Sequence, residues 1–225
     1  MQKTNFSSTP SKRATRIRLI VFTALMTALT TVLTLVSIPL ATGYYNFGDL
    51  PIFLSACLLG PIPALITGAV GAMLGDVILG YMPYAPFTLI IKALEGLVVA
   101  ILFIIVKKFV KKSLPQALLC AVCNVLGGLI MALGYFLAEG LLLAENSWTG
   151  GIINLPFNIL QGVISAIAAV ALMYLFGLKK LFEKLYQRNG GNAIVSDTAN
   201  KEDLQTNAKQ SNDDAEDNTS SEDKI

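Results

Sequence analysis

The sequence has no histidine among its 225 residues, three cysteines, one tryptophan and only 14% charged residues. Each shortage excludes something. Without histidine there is no His-based catalytic triad and no histidine-ligated zinc site. Cys57, Cys120 and Cys123 all fall in apolar runs. Cys120 and Cys123 have C-x-x-C spacing, but with no second pair and no histidine they read as helix-packing residues, and no metal or cofactor is expected. No Gly-x-x-x-x-Gly-Lys-Ser/Thr loop occurs, so the chain has no phosphate cradle with which to hydrolyse ATP. No inverted repeat or pair of broken helices stands out, which argues against a complete secondary transporter.

The shortage of charge decides the class. A soluble domain carries roughly 25% charged residues. Here 54% of residues are hydrophobic and the mean hydropathy is +0.62. The charges cluster before residue 19, in 107–112 and after 178. The stretches between are long enough to cross a bilayer repeatedly, since a crossing needs roughly 20 apolar residues. The expected fold is an all-α membrane protein with six transmembrane helices, over about 19–38, 47–60, 64–81, 86–106, 114–143 and 152–176. The first run is longer than the roughly 7–15-residue core of a signal peptide, so it reads as a retained helix. Pro39 stops it. Gly60-Pro61-Ile62-Pro63 makes a stiff turn between the second and third stretches. The fifth is long enough to be two pieces or strongly tilted. An amphipathic segment at 178–186 follows on the membrane surface.

Three regions result: a cytoplasmic N-terminal segment 1–15, the membrane domain 16–188, and an acidic, Asn/Ser-rich tail 189–225. The tail has no apolar period and reads as disordered. Orientation follows from positive charge. Arg16, Arg18, Lys107, Lys108, Lys111, Lys112, Lys179, Lys180 and Lys184 flank alternate sides of the spans, while loops near 39–47, 80–85 and 144–151 hold no Lys or Arg. Both termini are therefore expected in the cytoplasm of a multi-pass plasma-membrane protein.

The informative residues are the polar ones inside the spans. Lys92 and Glu95 are three apart and share a helix face. Ionisable side chains at membrane depth are functional candidates by default, although this pair also fits simple mutual neutralisation. Counted from the outer start of their span, they lie about 9–14 Å deep. Asp49, Asp76 and Glu139 fall near outer helix ends. Asn154, Asn158 and Gln161 descend one face of the last span. Tyr44, Tyr45, Phe47, Tyr81, Tyr84, Phe87, Tyr135 and Trp148 collect at the same end, as an interfacial belt or as stacking partners for a flat ligand. The inner half offers little beyond small hydroxyls. The pattern predicts an outward-opening polar pocket sealed inward, with Asp49, Tyr45, Asp76, Tyr84, Lys92, Glu95, Glu139, Asn154, Asn158 and Gln161 as candidate substrate-binding residues. Small residues mark packing seams: Gly68, Gly71 and Gly75, then Gly127, Gly128 and Gly134, and the Ala24-x-x-x-Ala28 face of the first span.

Several short motifs resemble the substrate-binding S components of energy-coupling factor (ECF) transporters, in the branch of the riboflavin-type S components. They are Phe47-Gly48-Asp49-Leu50-Pro51, Leu59-Gly60-Pro61, Gly75-Asp76 and Ile91-Lys92-Ala93-Leu94-Glu95-Gly96. The resemblance covers roughly 16–180 and is most specific over 47–96. It implies a six-helix subunit that captures a vitamin or vitamin precursor from outside. Such a subunit associates with a transmembrane coupling protein and two ATPases, in which the ATP hydrolysis resides. Ala24 and Ala28 match the family's docking motif by position. The aromatic, polar pocket suits a heterocycle such as pyridoxine, a hydroxymethylpyrimidine, riboflavin or a queuosine precursor. The alternatives are a stand-alone proton-coupled permease, with Glu95 and Asp76 as proton sites, and a membrane enzyme or assembly factor.

Overall fold

A computed structural model describes residues 12–40, 43–141 and 148–187. The acidic tail expected over 189–225 lies outside the described residues, as do the first eleven. Arg16–Phe182 form one compact unit. The elements are α1 (Lys12–Leu35), β1 (Ser37–Leu40), β2 (Gly43–Asn46), α2 (Asp49–Leu58), α3 (Pro61–Leu79), α4 (Ala85–Phe109), α5 (Ser113–Leu141), α6 (Trp148–Val170) and α7 (Leu178–Gln187). α6 continues into a π-helical turn, Ala171–Leu175.

Local chemistry sets the boundaries. Gly60 takes φ 102°, a left-handed conformation open to glycine, and the chain turns there from α2 into α3. Pro residues occupy the first positions of α3 and α4, where a missing N–H costs nothing. Gly80 caps α3 at φ 84°. α5 is one continuous helix of 29 residues.

The purely helical expectation needs one amendment. After α1 the chain forms a two-stranded antiparallel hairpin, with Ser37 opposite Asn46 and Ile38 opposite Tyr45. Pro39 cannot donate to a helix and biases Ile38 to extended backbone, so the helix ends at Leu35. Tyr44 and Tyr45 suit a strand.

Among the described residues, five helical spans are long and apolar enough to cross a membrane, beginning at Thr15 within α1 and at Pro61, Ala85, Ser113 and Trp148. α2 has 10 residues. At 1.5 Å per residue it covers about 15 Å, half a hydrocarbon core.

Contacts give each helix a direction. Side by side stand Thr30 with Gly71 and Thr34 with Gly75, so α1 and α3 run parallel. Gly68 abuts Lys92 and Gly96 abuts Ala64, so α3 and α4 are antiparallel. α5 opposes α4 through Gly127 with Val99 and Gly134 with Ile91. α6 opposes α5 through Gly128 with Gly162 and Glu139 with Asn154. α2 runs with α4, since Asp49 meets Lys92 and the Cys57 carbonyl accepts from Lys107. α1 to α6 thus alternate in direction. Arg16, Arg18, Lys107, Lys108, Lys111, Lys112 and Lys179 gather at one end, and the hairpin at the other.

The basic half is filled by an apolar core that includes Phe53, Leu54, Ala64, Val99, Phe103, Ala166 and Met173. It is less uniformly apolar than the sequence reading holds. Asn124 is fully buried there, and its Oδ1 lies 3.7 Å from Cys57 Sγ. Gln116 is buried near the basic end, where its Nε2 donates to the Val110 carbonyl. Both sit among apolar neighbours in sequence, and only the packing shows which way they face.

Candidate functional site

The α3 to α6 helices and the hairpin surround a cavity at the end away from the basic cluster. Its wall comprises Tyr44 and Asn46 from β2, Asp76 from α3, and Tyr81 and Tyr84 from the α3–α4 turn. Thr88 from α4, Tyr135 and Glu139 from α5, and Asn154, Asn158 and Gln161 from α6 complete it. The enclosed volume is about 50 Å³. That holds a few waters, well short of the roughly 300–1,000 Å³ of a small-molecule pocket.

The hairpin closes this space. The Tyr44 hydroxyl donates to Asp76 Oδ1, and the Tyr44 and Tyr81 rings pack at 4.9 Å. Phe47 N–H donates to the Leu33 carbonyl at 3.3 Å, which anchors the hairpin's return on α1.

Across the wall, Asn154 Nδ2 donates to both Glu139 oxygens at 3.1 Å. The Thr88 and Tyr135 hydroxyls are 2.9 Å apart. Gln161 links the wall to a deeper cluster. Its Oε1 accepts from the Asn46 N–H and its Nε2 donates to Asp49 Oδ2, both at 3.1 Å. Lys92 Nζ forms an ion pair with Asp49 and another with Glu95 Oε2 at 3.0 Å. It also lies 5.9 Å from the Tyr135 ring centre. Asp49, Lys92 and Glu95 are all buried.

Asp76, Tyr84, Glu139, Asn154, Asn158 and Gln161, all singled out in the sequence, line the cavity. Asp49, Lys92 and Glu95 come together as the cluster behind Gln161. Tyr45 stands outside the wall, on the opposite face of β2 from Tyr44, with its ring 5.4 Å from Phe47. Asn46 and Thr88 escape sequence reading. One is an amide in a short strand and the other a hydroxyl in an apolar helix, and neither type is unusual there. Tyr44, Tyr81 and Tyr135 are visible only as members of an aromatic belt. Period-2 alternation in β2 is the signal that separates Tyr44 from Tyr45.

Ala24 and Ala28 are exposed on α1. They line an apolar groove between α1 and α3 of about 560 Å³, with Leu19, Thr27, Ile62 and Ile66 among its other walls.

A bundle of apolar helices of membrane-spanning length, with a polar, tyrosine-rich cavity at one end, defines a membrane-embedded protein. The chain belongs to the family of ECF-type riboflavin transporter S components, whose pattern it matches over residues 14–180. It is also similar to a protein of Pyrococcus woesei described as an uncharacterized protein in the gap 3' region. The two are 36% identical over 151 residues, which is 67% of this chain and 93% of that protein. The family is one of membrane-embedded transport subunits rather than enzymes.

Proposed function

We propose that this chain captures a vitamin or vitamin-precursor heterocycle from outside the cell and delivers it through an ATP-driven ECF-type importer. The observation that carries this reading is the cavity itself. It combines four tyrosines with amide and carboxyl groups at the end remote from the basic cluster, and apolar core fills the other half. Tyrosine faces suit a flat ring, and the convergent polar groups suit its edge. The absence of a nucleotide-binding loop leaves the energy to partner ATPases and a coupling protein.

Six crossings with both termini in the cytoplasm fit the alternating directions and the basic end. In this reading α2 completes the second crossing together with β2. Four strand residues at about 3.3 Å and ten helical residues at 1.5 Å span roughly 28 Å, close to a hydrocarbon core. The strand is acceptable at that depth because it is paired with β1 and packed on protein. Entry of a heterocycle requires the Tyr44–Asp76 bond to break and the hairpin to swing from the cavity. The Ala24/Ala28 groove receives the coupling protein, consistent with the family.

Purified full-length chain in nanodiscs should bind at least one member of a vitamin panel (riboflavin, pyridoxine, hydroxymethylpyrimidine and 7-deazaguanines) without ATP. Uptake into vesicles should require co-reconstituted coupling protein and ATPases. Uptake by the chain alone, driven by a proton gradient, would instead favour a permease using the buried Glu95 carboxyl. A folded chain that binds nothing on the panel rejects the capture reading.

A further inference from the structure

The cavity is unbalanced in charge. Its wall carries two carboxyl groups, Asp76 and Glu139, and no lysine or arginine among the described residues. The cluster behind Gln161 adds Asp49 and Glu95 against the single ammonium of Lys92. The local partners are unevenly shared. Glu139 is satisfied at both oxygens by Asn154, and Asp49 by Lys92 and Gln161. Asp76 is 2% exposed, and its Oδ1 accepts from Tyr44 while its Oδ2 has no hydrogen-bond partner. The Thr88 hydroxyl, 2.9 Å from the Tyr135 hydroxyl, is a neighbouring polar group that interacts with Asp76, and the Lys92 charge also bears on it.

Building on the reading of this cavity as the capture site, we propose that its ligand is a flat heterocycle bearing a cationic N–H donor, a protonated amine or ring amidinium, received by Asp76 Oδ2. A carboxylate oxygen removed from water and left without a donor is costly, and a charged donor relieves that cost most fully. Tyrosine ring faces also attract a cation. An anionic ligand would meet two acids in the wall and no basic side chain to receive it. A bare metal ion is a poorer occupant, since no three Asp, Glu, Cys or His ligands cluster among the described residues.

The test compares ligands that share a ring and differ in one substituent. On a pyridine scaffold they are pyridoxamine, pyridoxine and 4-pyridoxic acid. On a 7-deazaguanine scaffold they are the 7-aminomethyl, 7-cyano and 7-carboxy compounds. Affinities are measured calorimetrically on full-length chain in nanodiscs. Within the scaffold that binds, the ammonium compound should bind about tenfold or more tighter than its neutral counterpart, and the carboxylate should bind weakest. Asp76→Asn should remove most of that preference, read as the ratio of ammonium-ligand to neutral-ligand affinity in the same variant.

Equal affinity for ammonium and neutral compounds overturns the proposal while leaving the capture reading intact. So does tightest binding of riboflavin or any carboxylate, or an unchanged preference in a folded Asp76→Asn variant. If Asp76→Asn does not fold, the ligand series on the unsubstituted chain still decides. Failure of every compound, riboflavin included, to bind folded protein overturns both readings.

Discussion

Asp49 and Lys92 stand 43 residues apart in sequence and form a buried ion pair one side chain behind the cavity wall. Gln161 touches Asp49 from the wall side, and Glu95 meets Lys92 from below on the same helix. The sequence pattern pairs Lys92 with Glu95 alone. Asp49 enters because α2 starts at the depth of Lys92 rather than at the outer surface.

Removing the shared cation should therefore be costly. Lys92→Met strands two buried carboxyl groups and is expected to destabilise the protein by about 3–5 kcal/mol. Adding Asp49→Asn to Lys92→Met should recover part of that loss, because one of the stranded charges is removed. Unfolding in mild detergent, followed by circular dichroism, measures both. Wild-type stability in Lys92→Met would show that the ion cluster contributes no net structure.

The α5–α6 seam predicts a steric effect. A Cβ added at Gly128 would stand 2.8 Å from the Gly162 Cα, a contact to backbone that no side-chain rotation relieves. Gly128→Ala and Gly162→Ala should each cost about 1–3 kcal/mol, in the range of overpacked cores. Gly150→Ala, a helical site where a Cβ meets nothing within 4 Å, is the control and should leave the melting temperature unchanged or raise it slightly. Equal melting of all three variants would refute so close an approach of α5 and α6.

A docking role for the α1–α3 groove predicts that capture and assembly can be separated. Ala24→Leu with Ala28→Leu fills an exposed apolar surface remote from the cavity wall. Ligand affinity of the isolated chain should be unchanged, while co-purification with a coupling protein and its ATPases should be lost. Loss of ligand affinity with assembly intact would assign the groove a different role.

Much of this arrangement is legible in the sequence, for definite reasons. Apolar runs at Ala64, Pro86, Leu114 and Ile152 are long enough to demand a bilayer, and helix–helix contacts among them are announced by glycines three, four and seven residues apart. Six of the predicted site residues line one cavity because each lies toward the same end of the bundle, a depth that counting residues can recover. Other features depend on how elements meet. Nothing local distinguishes Asn46 or Thr88 from ordinary strand and helix residues. Asn124 and Gln116 look like isolated amides until their neighbours are known. The hairpin is hinted at by Pro39, but its swing over Asp76 is not.

By itself, the sequence determined the solvent of this protein, the approximate placing of its long apolar helices, and the end at which polar groups collect. Those properties follow from hydropathy, charge placement and the rise per residue, which are local. The tertiary structure decided which polar groups are partners. It set Asp49 against Lys92, gave Glu139 to Asn154, closed the cavity with Tyr44, and left one oxygen of Asp76 unmatched. Hydrogen bonding and charge pairing act over about 3 Å between distant segments, so they exist only once the helices have packed.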